Sequence, residues 1–388
     1  MRPHNHLTKV AILFLLFIGY SKHASAQSYT DSLYISGTYR VYIIHLPNGY
    51  SSVKKYPLVL NFHGLNETAA QQESYTNMDA TADTSGFIVV YPQGIGNTWN
   101  LSGATSSPND SVFVSQLLYY IAANYSINTC RVYATGISLG GFMCYNLACQ
   151  FADRFSAIAV VSGNMADVSK LACKPHNHIP LMHIHGTADY IVSYSGTFGI
   201  SSVPNTVLWW AQTNGCNLTP AIGSLPNTNL GDSTTADIIY YIPGPDSAET
   251  FLVRINNGGH TWPGAVPTFV LGNTCEDFNA NVAIWNFFKK HLSCVSGINT
   301  TELTENVIQL FPNPSKEELS IIIPDGLPAK AISIYNISGE KIKAIQPDQN
   351  LNARKISLNI SSLPAGTYFL RIENEKSFIV KKFTKIVQ

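Results

Sequence analysis

Short apolar runs bounded by turn residues recur through the first three quarters of the chain, separated by stretches with apolar residues at helical spacing. Pro57–Phe62, Phe87–Tyr91, Arg131–Thr135, Ala157–Val161 and Pro180–Ile184 are apolar, aromatic or β-branched almost throughout, as strands buried on both faces of a parallel sheet are. Leu33–Leu46 alternates instead, is broken by Gly37 and ends at Pro47-Asn48-Gly49, which predicts one or two antiparallel strands. Helical patterns fall at Ala69–Ser85, Asp110–Tyr125 (with an aspartate cap), Phe142–Phe155, Val203–Asn214 and Asn279–His291, and further strands at Ile238–Ile242 and Thr250–Ile255. Gly94–Asp110, rich in Gly, Asn, Ser and Pro, predicts a long loop carrying Trp99. Strands alternating with helices predict an α/β fold, a mostly parallel sheet covered on both faces with its site at the carboxyl ends of strands.

The pattern changes after Cys294. Val295–Asn306 reads as a polar linker, and beyond it lysine and glutamate rise among short alternating strands at Leu319–Ile323, Ala331–Tyr335, Ile356–Ile360, Thr367–Ile372 and Phe378–Ile386. No helical stretch of useful length appears there, so residues 307–388 are expected to form a small all-β sandwich. At the other end, Met1–Ala26 has Arg2 and Lys9, an apolar AILFLLFIG run and the small-residue site Ala24-Ser25-Ala26. That is the pattern of a secretory signal peptide, and the apolar run is shorter than the ~20 residues a spanning helix needs. The expected division is therefore a signal peptide over 1–26, an α/β domain over 27–294, a linker over 295–306 and the β domain over 307–388, with no transmembrane segment in the mature chain.

Composition narrows the partners. With 24 basic and 24 acidic side chains in 388 residues, no global field attracts nucleic acid or an anionic membrane. Charged residues make up only 12%, against ~25% in an average soluble protein. Such a neutral surface suits polymers and uncharged sugars. All seven cysteines (130, 144, 149, 173, 216, 275 and 294) follow the signal, where disulfides are permitted. The odd count leaves at least one unpaired; Cys144 is expected to be free, and Cys149 with Cys173 and Cys216 with Cys275 to pair.

Gly136-Ile137-Ser138-Leu139-Gly140 joins the Arg131–Thr135 run to a helical stretch. A serine on a sharp strand-to-helix turn, with glycines two residues to either side, has the form of a nucleophile elbow. A hydroxyl attacks only when a base takes its proton, and the base must be held in one tautomer by an acid. Asp189 follows Pro180–Ile184, and His260 follows Thr250–Ile255 on the loop Asn256–Gly264. Ser138, Asp189 and His260 thus occur in the required order, each just past a strand. Asp232, Asp237 and Asp246 are rival acids in a poorly patterned region. For the oxyanion, the backbone N–H of Leu139 is one expected donor, and Leu65, or else Gly64, the second. His63 is expected to shape its loop, and His291 to be a helix-end cation. His176-x-His178 and His183-x-His185 would suit a metal by alternation, but no third ligand has useful spacing, so no metal and no cofactor are expected.

The blocks PLVLNFHG, FIVVYPQG, RVYATGISLGGFM, HIHGTAD and GGHTWPG resemble the secreted polyhydroxybutyrate depolymerase and feruloyl esterase group of α/β-hydrolases, over roughly residues 35–292. The resemblance implies an α/β-hydrolase cleaving carboxylic esters through an acyl-enzyme, with Ser138 as nucleophile, His260 as base and then acid, and Asp189 orienting it. It also implies that Trp99, Asn100 and Trp262 line the substrate cleft. Leu139 departs from the Asn or Gln frequent in the group, at a position where only the N–H is needed. Feruloyl or acetyl esters of plant polysaccharide are the expected substrates, a polyhydroxyalkanoate or short soluble ester the second choice, and a non-catalytic adhesin the remote one. Val307–Gln388 resembles the type A sorting domain of the type IX secretion system, through Phe311-Pro312-Asn313-Pro314, Ile334–Gly339, Leu363–Tyr368 and Val380–Phe383. That resemblance implies export to the surface or medium, with the type IX machinery as partner.

Overall fold

The computed structural model describes residues 27–35, 37–101, 109–175, 177–243, 248–266, 271–293, 309–322, 331–336, 340–345, 355–373 and 378–387. The expected signal peptide and linker, His176, Asp246 and Cys294 lie outside them. The elements in chain order are β1 (Gln27–Ile35), β2 (Thr38–Leu46), β3 (Tyr56–Phe62), α1 (Ala69–Thr76), α2 (Met78–Ser85), β4 (Ile88–Pro92), α3 (Asp110–Asn124), β5 (Ile127–Ile137), α4 (Leu139–Gln150), β6 (Ala157–Val161), α5 (Asp167–Ala172), β7 (Leu181–Gly186), α6 (Val203–Thr213), β8 (Ala221–Ser224), β9 (Thr235–Tyr241), β10 (Thr250–Asn256) and α7 (Ala280–Phe288). Seven strands follow: β11 (Gln309–Phe311), β12 (Glu318–Ile322), β13 (Ala331–Asn336), β14 (Lys341–Ile345), β15 (Lys355–Asn359), β16 (Gly366–Glu373) and β17 (Phe378–Lys385).

The first ten strands form one sheet in the order β1-β2-β4-β3-β5-β6-β7-β10-β9-β8. The six from β4 to β10 run parallel, and antiparallel strands finish both edges. Each central strand is buried on both faces, which is why its sequence does not alternate. Leu58, Leu60, Ile88, Val90, Ile158 and Val160 face a layer that includes α3 and α4, with Phe113, Leu117 and Leu147. Val59, Val89, Ala159 and Val161 face the opposite layer of α1, α2 and α7, with Met78, Ile284 and Phe288. Each large buried side chain contributes about 1.5–3 kcal/mol of transfer free energy. This is the expected mostly parallel α/β-hydrolase sheet. The C-terminal strands form two antiparallel sheets, β11-β12-β15 and β14-β13-β16-β17, around a separate core that includes Ile321, Ile334, Leu370 and Phe383, as the expected small β domain requires.

Several boundaries differ from expectation for local reasons. The predicted helix Ala69–Ser85 is two helices, because Asn77 adopts the left-handed conformation (φ 48°) between them. Asn109, not Asp110, caps α3, accepting from Ser111 N and Val112 N; Asp110 is buried against Arg40 instead. The helix after the elbow starts at Leu139 rather than Phe142 and stops at Gln150. The short β8, β11 and β14 and the six-residue α5 carried no clear periodicity. Cys149 and Cys173 are bonded, tying the end of α4 to the end of α5, and Cys144 is free and buried. The expected Cys216–Cys275 bond is absent: both are free and buried, Cys216 Sγ against the Ala248 carbonyl and Cys275 Sγ against Asp277. Cys130 is disulfide-bonded as well.

Candidate active site

β5 ends at Ile137 and α4 begins at Leu139, so one residue makes the whole reversal. Ser138 sits there at φ 55°, ψ −124°, a conformation costing about 1–3 kcal/mol for a non-glycine residue. The surroundings hold it: Ser138 N donates to Val161 O at 3.0 Å, while its carbonyl accepts from Gly141 N at 2.9 Å and Phe142 N at 3.2 Å. A Cβ on Gly136 would stand 2.6 Å, and one on Gly140 2.2 Å, from the Phe62 carbonyl oxygen. Both spacings are too short for any side chain, so glycine at both positions is a packing requirement of the turn. Among the described residues, the Ser138 hydroxyl has no hydrogen-bond partner, and neither does the Leu139 N–H at the start of α4. Helix starts of this kind favour developing negative charge.

The loop after β3 faces the elbow, since a Cβ at Gly64 would be 3.4 Å from Ser138 Cβ. His63 shapes this loop as expected. Its Nδ1 donates to Gly64 O at 2.7 Å and its Nε2 accepts from Gly94 N at 3.0 Å, and burial lowers its pKa. Gly64 and Leu65 then separate as oxyanion donors. The Gly64 N–H is already given to Glu67 Oε2 at 2.8 Å, whereas the Leu65 N–H has no partner among the described residues. The Gly64 N–H expected as an alternative donor is thus engaged within its own loop.

Trp99 and Trp262 also stand differently from the expected cleft lining. Trp99 is 4% exposed and Trp262 1%, and both spend their indole N–H internally. Trp99 Nε1 donates to His63 O at 2.9 Å, bracing the loop after β3. Trp262 Nε1 donates to Asn281 Oδ1 at 3.0 Å, and its backbone N–H to the Tyr75 hydroxyl at 3.0 Å. Trp262 thus fastens the histidine loop to α7 and α1. Asn100, half-buried, is anchored through its N–H to Asp110 Oδ2 at 2.6 Å.

Asp189 and His260 meet from the loops after β7 and β10. His260 Nδ1 lies 2.8 Å from Asp189 Oδ2, both side chains being buried. Asp189 Oδ1 accepts from Ile191 N and Val192 N, each at 2.9 Å, and His185 Nε2 adds a contact to Oδ2 at 3.2 Å. Burial by itself would raise this carboxyl, but the hydrogen bonds and charges of His185 and His260 outweigh it and hold it well below the usual carboxylate range. Backbone bonds from Gly259 N to Asn273 O and from His260 N to Leu271 O, 2.9 and 2.7 Å, fix the approach to the ring. The rival acids are engaged elsewhere: Asp237 pairs with Arg254 at 2.7 Å, and Asp232 accepts from Thr234 N and Glu276 N.

Ser138, Asp189 and His260 therefore emerge at one edge of the sheet from β5, β7 and β10, in the order the sequence implied. The Asp189–His260 bond is made, and no hydrogen bond joins Ser138 to His260. Glu67, Tyr75 and His185 had escaped notice as parts of the site. Only His185 left a trace in the sequence, as half of a histidine pair weighed for metal. Elsewhere Asp232, Cys275 and Asp277 bring ligand atoms within 4.8 Å of one another, but their carboxylates already accept N–H groups of Thr228, Asn229, Thr234 and Glu276.

Two family models and several curated proteins match parts of this chain. Residues 309–386 match the secretion system C-terminal sorting domain, and the chain is accordingly secreted or carried to the cell surface. No helix among the described residues is long and apolar enough to cross a membrane. The bifunctional acetylxylan esterase/xylanase XynS20E of Neocallimastix patriciarum is 38% identical over 146 residues, 37% of this chain and 21% of that protein. Feruloyl esterase B of Piromyces equi is 29% identical over 238 residues, 57% of this chain and 42% of its own length. This chain thus spans less than half of either relative. A probable feruloyl esterase C of Aspergillus terreus is 31% identical over 256 residues, 64% of this chain and 83% of that one. Residues 34–230, just over half of the chain and including the elbow and Asp189, match the family described as putative esterase, and the chain belongs to that family.

Proposed function

We propose that this protein is a secreted serine esterase that hydrolyses feruloyl or acetyl esters on plant polysaccharide. The observation that carries the reading is a serine held in a strained elbow at the strand edge from which a buried Asp–His pair also emerges. In this mechanism His260 Nε2 takes the Ser138 proton as Oγ attacks the ester carbonyl, and the Asp189 carboxylate stabilises the imidazolium through Nδ1–H. The N–H groups of Leu139 and Leu65 receive the oxyanion. His260 then protonates the departing sugar oxygen as its bond to the acyl carbon breaks, releasing the sugar alcohol, and water, activated by His260, attacks the acyl-enzyme in its place to release the acid and restore Ser138. No metal or cofactor takes part in this scheme. The acetylxylan and feruloyl esterases among the relatives support the substrate class, as does a neutral surface with few charges. Residues 27–294 would form the esterase domain and 307–388 the domain presented to type IX secretion machinery.

A fluorophosphonate probe should label Ser138 in the wild type and not in Ser138→Ala, which should fold normally and lose turnover of p-nitrophenyl acetate. Absence of labelling in the wild type would sink the enzyme reading. Parallel assays on methyl ferulate, acetylated xylan and polyhydroxybutyrate test the substrate class, with preference for the polyester overturning it.

A further inference from the structure

Behind Asp189 a row of buried polar side chains continues into the core. His185 Nδ1 lies 3.1 Å from His183 Nε2, and His183 Nδ1 lies 2.7 Å from the Tyr145 hydroxyl. Tyr145, His183 and His185 are 1%, 0% and 0% exposed. Tyr145 belongs to α4, the helix that Ser138 starts, while both histidines lie on β7, the strand that ends before Asp189. The row Tyr145–His183–His185–Asp189–His260 therefore links the nucleophile's helix to the histidine opposite it. The scheme above uses only the last two members.

Proton positions in the row follow from its ends. His185 Nε2 lies 2.8 Å from the Val192 carbonyl, which can only accept, so this nitrogen carries hydrogen and shares it with Asp189 Oδ2 at 3.2 Å. A neutral His185 then offers Nδ1 as an acceptor, filled by His183 Nε2–H. His183 in turn offers Nδ1, filled by the Tyr145 O–H. This assignment satisfies every nitrogen in the row with neutral rings, as burial demands. Burial, with the nearby His185, also holds His183 well below its usual range, against a smaller opposing contact with the Gly163 backbone.

Resting on the esterase reading, we propose that His185 is a positioning residue for Asp189, and that His183 and Tyr145 fix its tautomer so that it donates to the carboxylate without becoming charged. A cationic His185 would compete with His260 for the same oxygen. A neutral one aims that oxygen and leaves its charge to His260. The pairing of Tyr145 with His183 supplies the donor that lets His185 Nδ1 remain unprotonated.

The test compares His185→Leu, His185→Gln and Tyr145→Phe in the full chain, each checked for folding by circular dichroism. Glutamine places an N–H donor where Nε2 stands, whereas leucine removes it. His185→Leu should lower kcat on p-nitrophenyl acetate about 10- to 100-fold with KM changed less than about twofold, and Tyr145→Phe should lower it about three- to tenfold. His185→Gln should return kcat to within about threefold of wild type. The downfield proton resonance of His260 Nδ1–H should be present in the wild type and His185→Gln, and shifted or broadened in His185→Leu. Wild-type kcat in folded His185→Leu, or a glutamine variant no better than leucine, overturns the proposal. If His185→Leu does not fold, His185→Gln and Tyr145→Phe still decide it. An inert, unlabelled wild type would instead defeat the esterase reading, while the resonance would still report on the row.

Discussion

Asp189→Asn is the substitution whose outcome the geometry constrains most. Asp189 Oδ1 receives two backbone N–H groups, from Ile191 and Val192, which cannot change direction. An asparagine must keep its carbonyl oxygen there and turn its NH₂ toward His260 and His185, where Oδ2 now accepts at 2.8 and 3.2 Å. Facing a donor, His260 has to present a bare Nδ1 and carry its proton on Nε2, the nitrogen that should receive the serine proton. The ring is then held in the wrong tautomer, a defect that lowers kcat about 10³- to 10⁴-fold in triads of this kind, or about 4–5.5 kcal/mol of barrier. Asp189→Ala leaves the ring free to choose either tautomer. The isosteric variant should therefore be no more active than the truncated one, although it resembles the native residue more closely. Initial rates with p-nitrophenyl acetate at neutral pH, normalised by active-site titration, measure the order. A tenfold advantage for asparagine over alanine would refute the tautomer argument.

Two further expectations concern stability. The Cys149–Cys173 bond closes a loop with a sequence separation of 24, so replacing both by serine should cost about 3 kcal/mol; a loss below about 1 kcal/mol in urea unfolding would mean that the loop is already ordered in the unfolded chain. Burial raises the Asp79 carboxyl to about 6, against the Tyr91 hydrogen bond and the charge of His45. With the folded value raised, its contribution to stability is present below the ordinary carboxylate pKa and lost as pH rises through about 6. Asp79→Asn should therefore be more stable than wild type by about 2–3 kcal/mol at pH ~8 and show no such advantage at pH ~4. An equal difference at both pH values would contradict the burial argument.

Much of the fold was legible because the central strands carry their burial in composition: Leu58-Val59-Leu60 and Ile88-Val89-Val90 feed opposite layers from alternate residues, so no polar residue interrupts them. The edge and connecting elements were not. Ala221–Ser224 is exposed along its length, and the break at Asn77 depends on one left-handed residue inside an otherwise continuous pattern. Cysteine pairing was half legible, since Cys216 and Cys275 look the same in sequence as cysteines that pair. Whether two thiols meet is a matter of where separate strands carry them.

By itself the sequence determined the order of Ser138, Asp189 and His260, because each follows its own strand, and it marked the turn by Gly136 and Gly140, although the Phe62 carbonyl that leaves no room for a side chain at either belongs to the neighbouring strand β3. Only the tertiary structure decided which backbone amide remains open beside Ser138, since Glu67 takes the Gly64 N–H and leaves that of Leu65 free. It also turned Trp99 and Trp262 from expected substrate contacts into buried braces, and drew Tyr145, His183 and His185 into line behind Asp189. The Glu67 and His183–His185 bonds are short-range, but those of Trp99 to His63, Trp262 to Tyr75 and Asn281, and Tyr145 to His183 join residues distant in the chain. Residue type and spacing say what a group can donate or accept, and the packing of separate elements decides which partner it meets.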